Sequence, residues 1–195
     1  TDTGGDLAGM ITCPHDRRER MGSVLSSQAG HIEAAIVSAG KAAHAWDRAG
    51  GDRRAAILEL AAELFERDRA KLMAVMVREA GKTIANAQDD VREAADYLRY
   101  YAGEARRLFA GPVELKGTTG EVNAIELRAR GVFACIAPWN FPLAIFTGQV
   151  AAALAAGNSV LAKPAGQTPV VASLAVKLLH EAGIPALHKR EWTRG

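Results

Sequence analysis

The chain has 195 residues, of which 49% are hydrophobic and 24% are charged, and its formal net charge is +2 at pH 7. This composition is typical of a globular protein and excludes disorder as the default state. Because acidic and basic residues are interleaved along the chain, the small net charge does not indicate a nucleic-acid partner. The two cysteines form no disulfide framework, which favours a reducing compartment and predicts a cytoplasmic location.

Residues 131–162 contain no charged side chain, and this run is long enough to raise the question of a membrane span. Pro138, Pro142 and the Gly157-Asn158 pair interrupt it. No continuous helix of about 20 apolar residues can be drawn, and we therefore predict that the chain does not span a membrane.

Residues 1–28 are polar and rich in turn-forming types, which predicts a linker or arm. Four amphipathic helices are predicted after them, because apolar residues recur at helical spacing. The predicted core-facing residues are Ile32, Ala35, Ile36, Ala39, Ala43 and Trp46, then Ile57, Leu60, Ala61 and Leu64, then Leu72, Val75 and Met76, and finally Val91, Ala94, Leu98, Ala102, Ala105 and Leu108.

The ends of these helices carry typical boundary residues. Asp68 is placed to cap the third helix, Gly81 to end it and Thr83 to cap the fourth. Charged residues of the fourth helix are interpreted as its solvated face. They are Asp89, Asp90, Arg92, Glu93, Arg99 and Arg106.

Beyond Gly111-Pro112 the pattern changes from helical to alternating. The predicted elements are a half-exposed strand within residues 122–130, a fully buried strand at 132–137, a helix at 143–156, a buried strand at 159–162 and a helix at 170–182. Strand, helix, strand, helix is the order of an α/β fold, and it predicts a parallel sheet covered by helices with right-handed crossovers. The usual glycine fingerprint for dinucleotides, Gly-x-Gly-x-x-Gly, is absent.

Two strand-to-helix loops, residues 137–142 and 163–169, are candidate ligand sites, because ligands of open parallel sheets gather at the carboxyl ends of the strands. In the first loop two prolines fix the backbone around Trp139 and Asn140. The Asn140 amide is either a preorganised donor to an oxyanion or the cap of a helix starting near Pro142, with Trp139 in the core.

In the second loop, Lys163 ends a strand, where its ammonium either meets a ribose hydroxyl or phosphate or is merely solvated. Gln167-Thr168-Pro169 is equally well explained as the entry to the next helix. Cys135 lies among apolar residues with no neighbouring cation and is interpreted as an inert core cysteine. Cys13 and His15 are two possible metal ligands without partners, so no metal site is predicted.

Several of these motifs together resemble the aldehyde dehydrogenase superfamily. They are the run from Pro138 to Pro142 (PWNFP), the Gly157-Asn158 pair and the run from Leu161 to Ala165 (LAKPA), at the spacing found in that family. Further stretches are similar to its L-glutamate gamma-semialdehyde (1-pyrroline-5-carboxylate) dehydrogenase branch of the proline utilization A type. These stretches are EAGKT from Glu79, VREA from Val91, LRYYA from Leu98, GEVN from Gly120 and FTGQ from Phe146.

The resemblance implies an aldehyde dehydrogenase fold, in which N-terminal helices pack on a parallel Rossmann-like sheet, here incomplete. It implies that Asn140 donates its amide to the thiohemiacetal oxyanion and that Phe141 lines the substrate tunnel. It implies that residues at about 112–130 form an oligomerisation hairpin in a homo-oligomer. The cofactor-binding residues that it implies, for NAD or NADP, are Ile136, Ala137, Pro138, Trp139, Lys163, Ala165 and Gly166.

The sequence departs from the family at two places. Gly166 stands where many members have a Glu that accepts hydrogen bonds from the ribose, and the loss of such a contact costs on the order of 1 to 3 kcal/mol. Residues 29–185 correspond to the N-terminal part of the family's NAD(P)-binding domain, whereas residues 186–195 resemble no family segment. The family's nucleophilic Cys and general-base Glu have no counterpart in residues 1–195, so the resemblance implies that these residues alone are inactive.

The leading hypothesis is an oxidoreductase module that oxidises an aldehyde, L-glutamate gamma-semialdehyde in proline breakdown, to the carboxylate with NAD(P)+. The alternative is a catalytically inert segment that binds nucleotide weakly or only associates with other subunits.

Overall fold

The computed structural model describes residues 7–185. Two strands are followed by four helices and then by three further strands, and the described chain finishes with a helix, a strand and a helix. The elements are β1 (Leu7–Thr12), β2 (Arg20–Leu25), α1 (Ala29–Asp47), α2 (Gly51–Arg67), α3 (Arg69–Ala80), α4 (Ile84–Leu108), β3 (Val113–Leu115), β4 (Asn123–Ile125), β5 (Val132–Ile136), α5 (Ala144–Ala155), β6 (Ser159–Lys163) and α6 (Pro169–Glu181). None of the helices described is long and apolar enough to cross a membrane.

The N-terminal segment differs from its prediction as a linker or arm. β1 and β2 pair as an antiparallel hairpin, closed by a hydrogen bond from the Cys13 amide to the Glu19 carbonyl (3.0 Å). The register shifts twice along this pair, so apolar side chains do not alternate regularly on one face. The strands therefore arise from backbone pairing that leaves little trace in the hydrophobic pattern.

The predicted helix boundaries around α3 and α4 are largely confirmed. Gly81 ends α3 in the left-handed conformation (φ 67°), which glycine adopts without steric cost. The Thr83 hydroxyl accepts a hydrogen bond from the Asn86 amide and caps α4. Asp68 stands at the N-cap of α3 but makes no capping bond, because its carboxylate accepts from Arg67 instead.

The hydrophobic core lies where α2, α4 and α5 pack together, with α3 and α6 closing it from the side. α4 buries the predicted apolar face from Val91 to Ala105, although Leu108 at its end is exposed. The helix prediction is wrong at three helices. Ile32 and Ile36 of α1 and Leu60 of α2 are exposed, and Asp90, which was predicted on the solvated face of α4, is completely buried.

β5 and β6 form a two-stranded parallel sheet, as predicted, with Val132 opposite Ser159 and Ile136 opposite Lys163. β5 was predicted to be fully buried, and this prediction is wrong because Phe133 and Ile136 are exposed. The predicted strand within residues 122–130 is shortened to β4, which pairs with β3 in an exposed antiparallel hairpin. The fold therefore belongs to the α/β class, with the N-terminal helices packed on a parallel sheet.

Buried polar groups fix the end of the sheet at which β5 and β6 begin. The Asn158 side chain accepts hydrogen bonds from the amides of Arg130 (2.7 Å) and Gly131 (2.9 Å). The Asp47 carboxylate accepts from the Ala129 amide (3.1 Å). The buried Arg54 guanidinium donates to the carbonyls of Ala155 (3.0 Å) and Asp47 (2.8 Å), so it satisfies the C-terminal ends of both α5 and α1.

Candidate ligand site at the carboxyl end of the parallel strands

The register of the parallel sheet brings the two candidate loops to the same edge. Ile136 pairs with Lys163 at the last position of both strands, and the Ala137 amide donates to the Lys163 carbonyl (3.0 Å). The loops at 137–142 and 163–169 therefore leave neighbouring strands at one edge of the sheet, where ligands of such sheets bind.

The first loop presents two aromatic rings and one amide outward. Trp139 is 55% exposed and Phe141 is 41% exposed, whereas Ala137 is buried and Pro138 is half-buried. The Asn140 side chain is exposed and makes no hydrogen bond with any described residue. Its amide is thus available as a donor to a ligand.

The alternative interpretation of this loop, in which Asn140 caps the next helix and Trp139 belongs to the core, is wrong. α5 begins at Ala144, and the Ala144 amide donates to the Asp90 carboxylate (2.6 Å), so a residue from a distant helix supplies the cap. Trp139 has too much exposed surface to be a core residue.

The second loop carries an exposed ammonium at the end of β6. The Lys163 Nζ donates only to the neighbouring Pro164 carbonyl (3.3 Å) among the described residues, so most of its donor capacity is free. Ala165 is half-buried and Gly166 is exposed. α6 then begins at Pro169, at the predicted helix entry, but the Thr168 hydroxyl before it is buried and has no hydrogen-bond partner within residues 7–185.

Three buried charged residues behind these loops were not predicted as site residues. They are Glu79 at the end of α3, Lys82 in the turn after it and Asp90 in α4. The Lys82 ammonium lies 2.6 Å from the Asp90 carboxylate, and the two side chains are 9% and 0% exposed. A signal for Asp90 was present in the sequence, because it is three residues after Ala87 and four before Ala94 on the inward face of α4.

Glu79 is 4% exposed and accepts hydrogen bonds from the amides of Val170 (2.6 Å) and Val171 (2.9 Å) in the first turn of α6. Burial raises the pKa of Glu79 to about 7, although the two amide donors oppose the shift. A change of charge at this position near neutral pH would act directly on the end of the second loop.

Among the described residues, neither cysteine forms a hydrogen bond with the exposed groups of these loops. Cys135 is buried in β5 and burial raises its pKa, which disfavours the thiolate and agrees with the interpretation as a core residue. Cys13 lies 3.0 Å from the His15 imidazole, and Glu19 stands near both. The structure thus adds a third metal-ligand type to the predicted pair, but the Glu19 carboxylate is already engaged by Arg78.

The described residues fit a nucleotide at this edge by their chemistry. A free ammonium suits a ribose hydroxyl or a phosphate, and an exposed indole suits a flat ring. A Cβ added at Gly166 would meet no atom within 4 Å, so the second loop leaves open space for a ligand or a longer side chain. The arrangement defines a protein of the α/β class with a candidate ligand site at the carboxyl ends of its parallel strands.

The model of the aldehyde dehydrogenase family matches residues 7–187, and the chain belongs to this family. It is 48% identical over 175 residues to the bifunctional protein PutA of Klebsiella aerogenes and 41% identical over 174 residues to the 1-pyrroline-5-carboxylate dehydrogenase of Anoxybacillus flavithermus. These matches cover 90% and 89% of this chain but only 12% and 33% of the two relatives.

Solved structures show the same resemblance. The 1-pyrroline-5-carboxylate dehydrogenase from Thermus with bound NAD superimposes with a TM-score of 0.90 at 36% identity, covering 96% of this chain and 36% of that one. PutA from Bdellovibrio bacteriovorus, inactivated by N-propargylglycine, superimposes with a TM-score of 0.87 at 39% identity, covering 92% of this chain and 19% of that one. The resemblance to this branch of the family, recognised from the sequence motifs, is confirmed.

Proposed function

We propose that the chain is the nucleotide-binding part of an enzyme that oxidises L-glutamate gamma-semialdehyde to glutamate with NAD(P)+ in proline catabolism. The similarity to PutA and to 1-pyrroline-5-carboxylate dehydrogenases supports this reaction and this substrate. The observation that carries the proposal is the common edge of β5 and β6, where a free amide and a free ammonium follow neighbouring strands.

In this proposal Asn140 is the electrostatic catalyst. Oxidation of an aldehyde in this family proceeds through attack of a cysteine thiolate, and the carbonyl oxygen becomes an oxyanion. The Asn140 amide has no competing acceptor within the described residues and would stabilise that charge. Phe141, adjacent and exposed, would line the path of the aldehyde.

The second loop would hold the nucleotide. Lys163 would donate to the adenosine ribose, with Ala165 and Gly166 beside it, while residues 136–139 would border the nicotinamide. When bound, NAD would accept the hydride released by the aldehyde carbon. The chain's own residues would bind and orient the cofactor, and NAD rather than NADP is our leading choice because the NAD-bound Thermus enzyme has the same fold.

A second candidate function is association with other subunits, with or without weak nucleotide binding. The β3–β4 hairpin supports it, because apolar side chains on and near these strands are exposed. They are Val113, Leu115, Val122 and Ile125. We propose that this hairpin, within residues 112–130, forms an interface in a homo-oligomer.

Nucleotide binding by the 195-residue chain tests the main proposal. We expect NAD to bind in isothermal titration calorimetry, and Lys163→Ala to weaken binding about tenfold through loss of a charge-assisted hydrogen bond. Lys177→Ala, which removes an exposed lysine from α6, is the matched control and should leave the affinity unchanged. Equal affinities for all three chains would refute the role of Lys163.

The same purified chain should not oxidise aldehydes with NAD. Cys135 is buried and its pKa is raised, so it is unsuited to attack a carbonyl. Robust activity that disappears in Cys135→Ser would contradict both this interpretation and the assignment of Cys135 to the core.

A further inference from the structure

Residues 79–90 run from the end of α3 through the connecting turn into α4, and they send three largely buried charged side chains toward the two site loops. Burying a charged side chain costs free energy unless the charge is paired or hydrogen-bonded. The contacts of these three side chains therefore indicate their role. Each of Glu79, Lys82 and Asp90 forms a hydrogen bond with a backbone atom that lies in a site loop or directly after one. Lys82 and Asp90 also pair with each other.

Lys82 and Asp90 hold the first loop at two points. The Lys82 Nζ donates to the Asn140 carbonyl (3.0 Å) and lies 4.5 Å from the centre of the Phe141 ring. The Asp90 carboxylate accepts from Lys82 with one oxygen and from the Ala144 amide with the other, at 2.6 Å in both cases. One ion pair therefore fixes the backbone on both sides of Pro142.

Glu79 holds the second loop from its far end. Its two oxygens accept from the amides of Val170 and Val171, the first free amides of α6. Thr168 occupies the N-cap position but makes no side-chain capping bond, so Glu79 takes over this role from 91 and 92 residues away in the chain. The left-handed turn at Gly81 lets Glu79 and Lys82 serve different loops.

We propose that residues 79–90 form a brace that positions both site loops independently, with Lys82 and Asp90 as positioning residues for residues 137–143 and Glu79 for residues 163–169. The consequence for nucleotide affinity rests on the proposed function, whereas the consequence for loop order does not. A purely structural role would instead lower the stability of the whole domain and loosen all elements together.

Hydrogen exchange followed by mass spectrometry on the 195-residue chain separates these outcomes. We expect Lys82→Met to accelerate exchange about tenfold in peptides covering residues 140–146 and to leave those covering 168–172 unchanged. Glu79→Leu, which removes both acceptors of the Val170 and Val171 amides, should do the reverse. Arg99→Met is the matched control, because it breaks an exposed ion pair between Arg99 of α4 and Glu66 of α2 and should affect neither loop.

Uniform acceleration in every peptide, or no acceleration in either loop, would overturn the proposal. If Lys82→Met does not fold, Lys82→Gln serves as the second variant for the same loop. It removes the charge that pairs with Asp90 but retains a donor for the Asn140 carbonyl. The unmodified chain gives a further check, because unprotected amides at Ala144, Val170 and Val171 would contradict the brace without any variant.

Nucleotide titrations of the same variants deepen the test. We expect Lys82→Met and Glu79→Leu each to weaken NAD binding about threefold to tenfold by disordering a loop that must then be ordered on binding. If the unmodified chain binds no NAD, the proposed function fails while the exchange data still decide on the brace. If NAD binds equally to all variants despite loosened loops, the brace holds but does not set affinity.

Discussion

The two ends of the parallel sheet differ in how their polar groups are used. Where β5 and β6 begin, Asn158 and Arg54 are buried and fully engaged with backbone atoms. Where the strands end, Asn140 and Lys163 are exposed and leave most of their donors free. The same residue type, asparagine, thus serves as a structural element at one end and remains free at the other.

This difference separates groups that stabilise the fold from groups that can serve a ligand. A buried donor or acceptor stabilises only when it has a partner, and a ligand-binding donor is useful only when it has none. The brace at residues 79–90 combines both kinds of group. Its charged side chains are hydrogen-bonded, and they hold the backbone of the loops that carry the free donors.

The largest expected effect on stability is at the end of the sheet where β5 and β6 begin. Arg54→Met leaves carbonyls at the ends of α1 and α5 without donors, and we expect the free energy of unfolding to fall by about 4 kcal/mol. Arg53→Met, at an exposed neighbouring position, should change it by less than about 0.5 kcal/mol. Urea denaturation measures both, and equal stability of the two variants would break the comparison.

The next effect concerns the pH dependence of the brace. The folded-state pKa of Glu79 is raised to about 7 from 4.5, so the folded chain binds a proton more readily than the unfolded chain between these values. The contribution of Glu79 to stability is therefore fully present below about pH 4.5 and is lost as the pH rises through 7, by up to about 3 kcal/mol.

Glu79→Gln should remove this slope, because the amide does not titrate. Chemical denaturation at several pH values from 5 to 8 measures the difference between the two chains. A difference that stays constant over this range would show that the Glu79 carboxylate is ionised throughout, held by the amides of Val170 and Val171.

A matched pair of asparagines tests the comparison directly. Asn158→Ala removes hydrogen bonds to two amides at the start of β5 and should lower the free energy of unfolding by about 2 kcal/mol. Asn140→Ala should change it by less than about 0.5 kcal/mol, because no described residue depends on that side chain. The opposite ranking in thermal denaturation would mean that Asn140 is structural.

The smallest effect is at Gly166. Its backbone is outside the left-handed region and a side chain there meets open space, so Gly166→Glu should fold normally. The new carboxylate would accept from a ribose and repel a 2′-phosphate, raising the preference for NAD over NADP by about 1 kcal/mol. Titrations with both nucleotides measure this preference, and an unchanged ratio would argue against a ribose near Gly166.

Local signals made much of the architecture predictable. The apolar spacing of α4, the Gly81 end of α3 and the strand-to-helix loops around Asn140 and Lys163 all follow from residue types within one turn or one strand. The family motifs added the chemistry expected of those loops. The hairpin of β1 and β2 was missed because shifted backbone pairing produces no regular side-chain pattern.

The sequence alone determined the four N-terminal helices, the order of the elements from residue 122 onward and the place of the two site loops, because hydrophobic periodicity and turn residues act over short distances. Only the tertiary structure decided that Asp90 is buried, that it caps α5, and that Glu79 caps α6. These contacts join residues 54 and 91 positions apart, and charge alone assigns such side chains to the surface. Packing places them inside because each finds backbone amides there that would otherwise be unsatisfied.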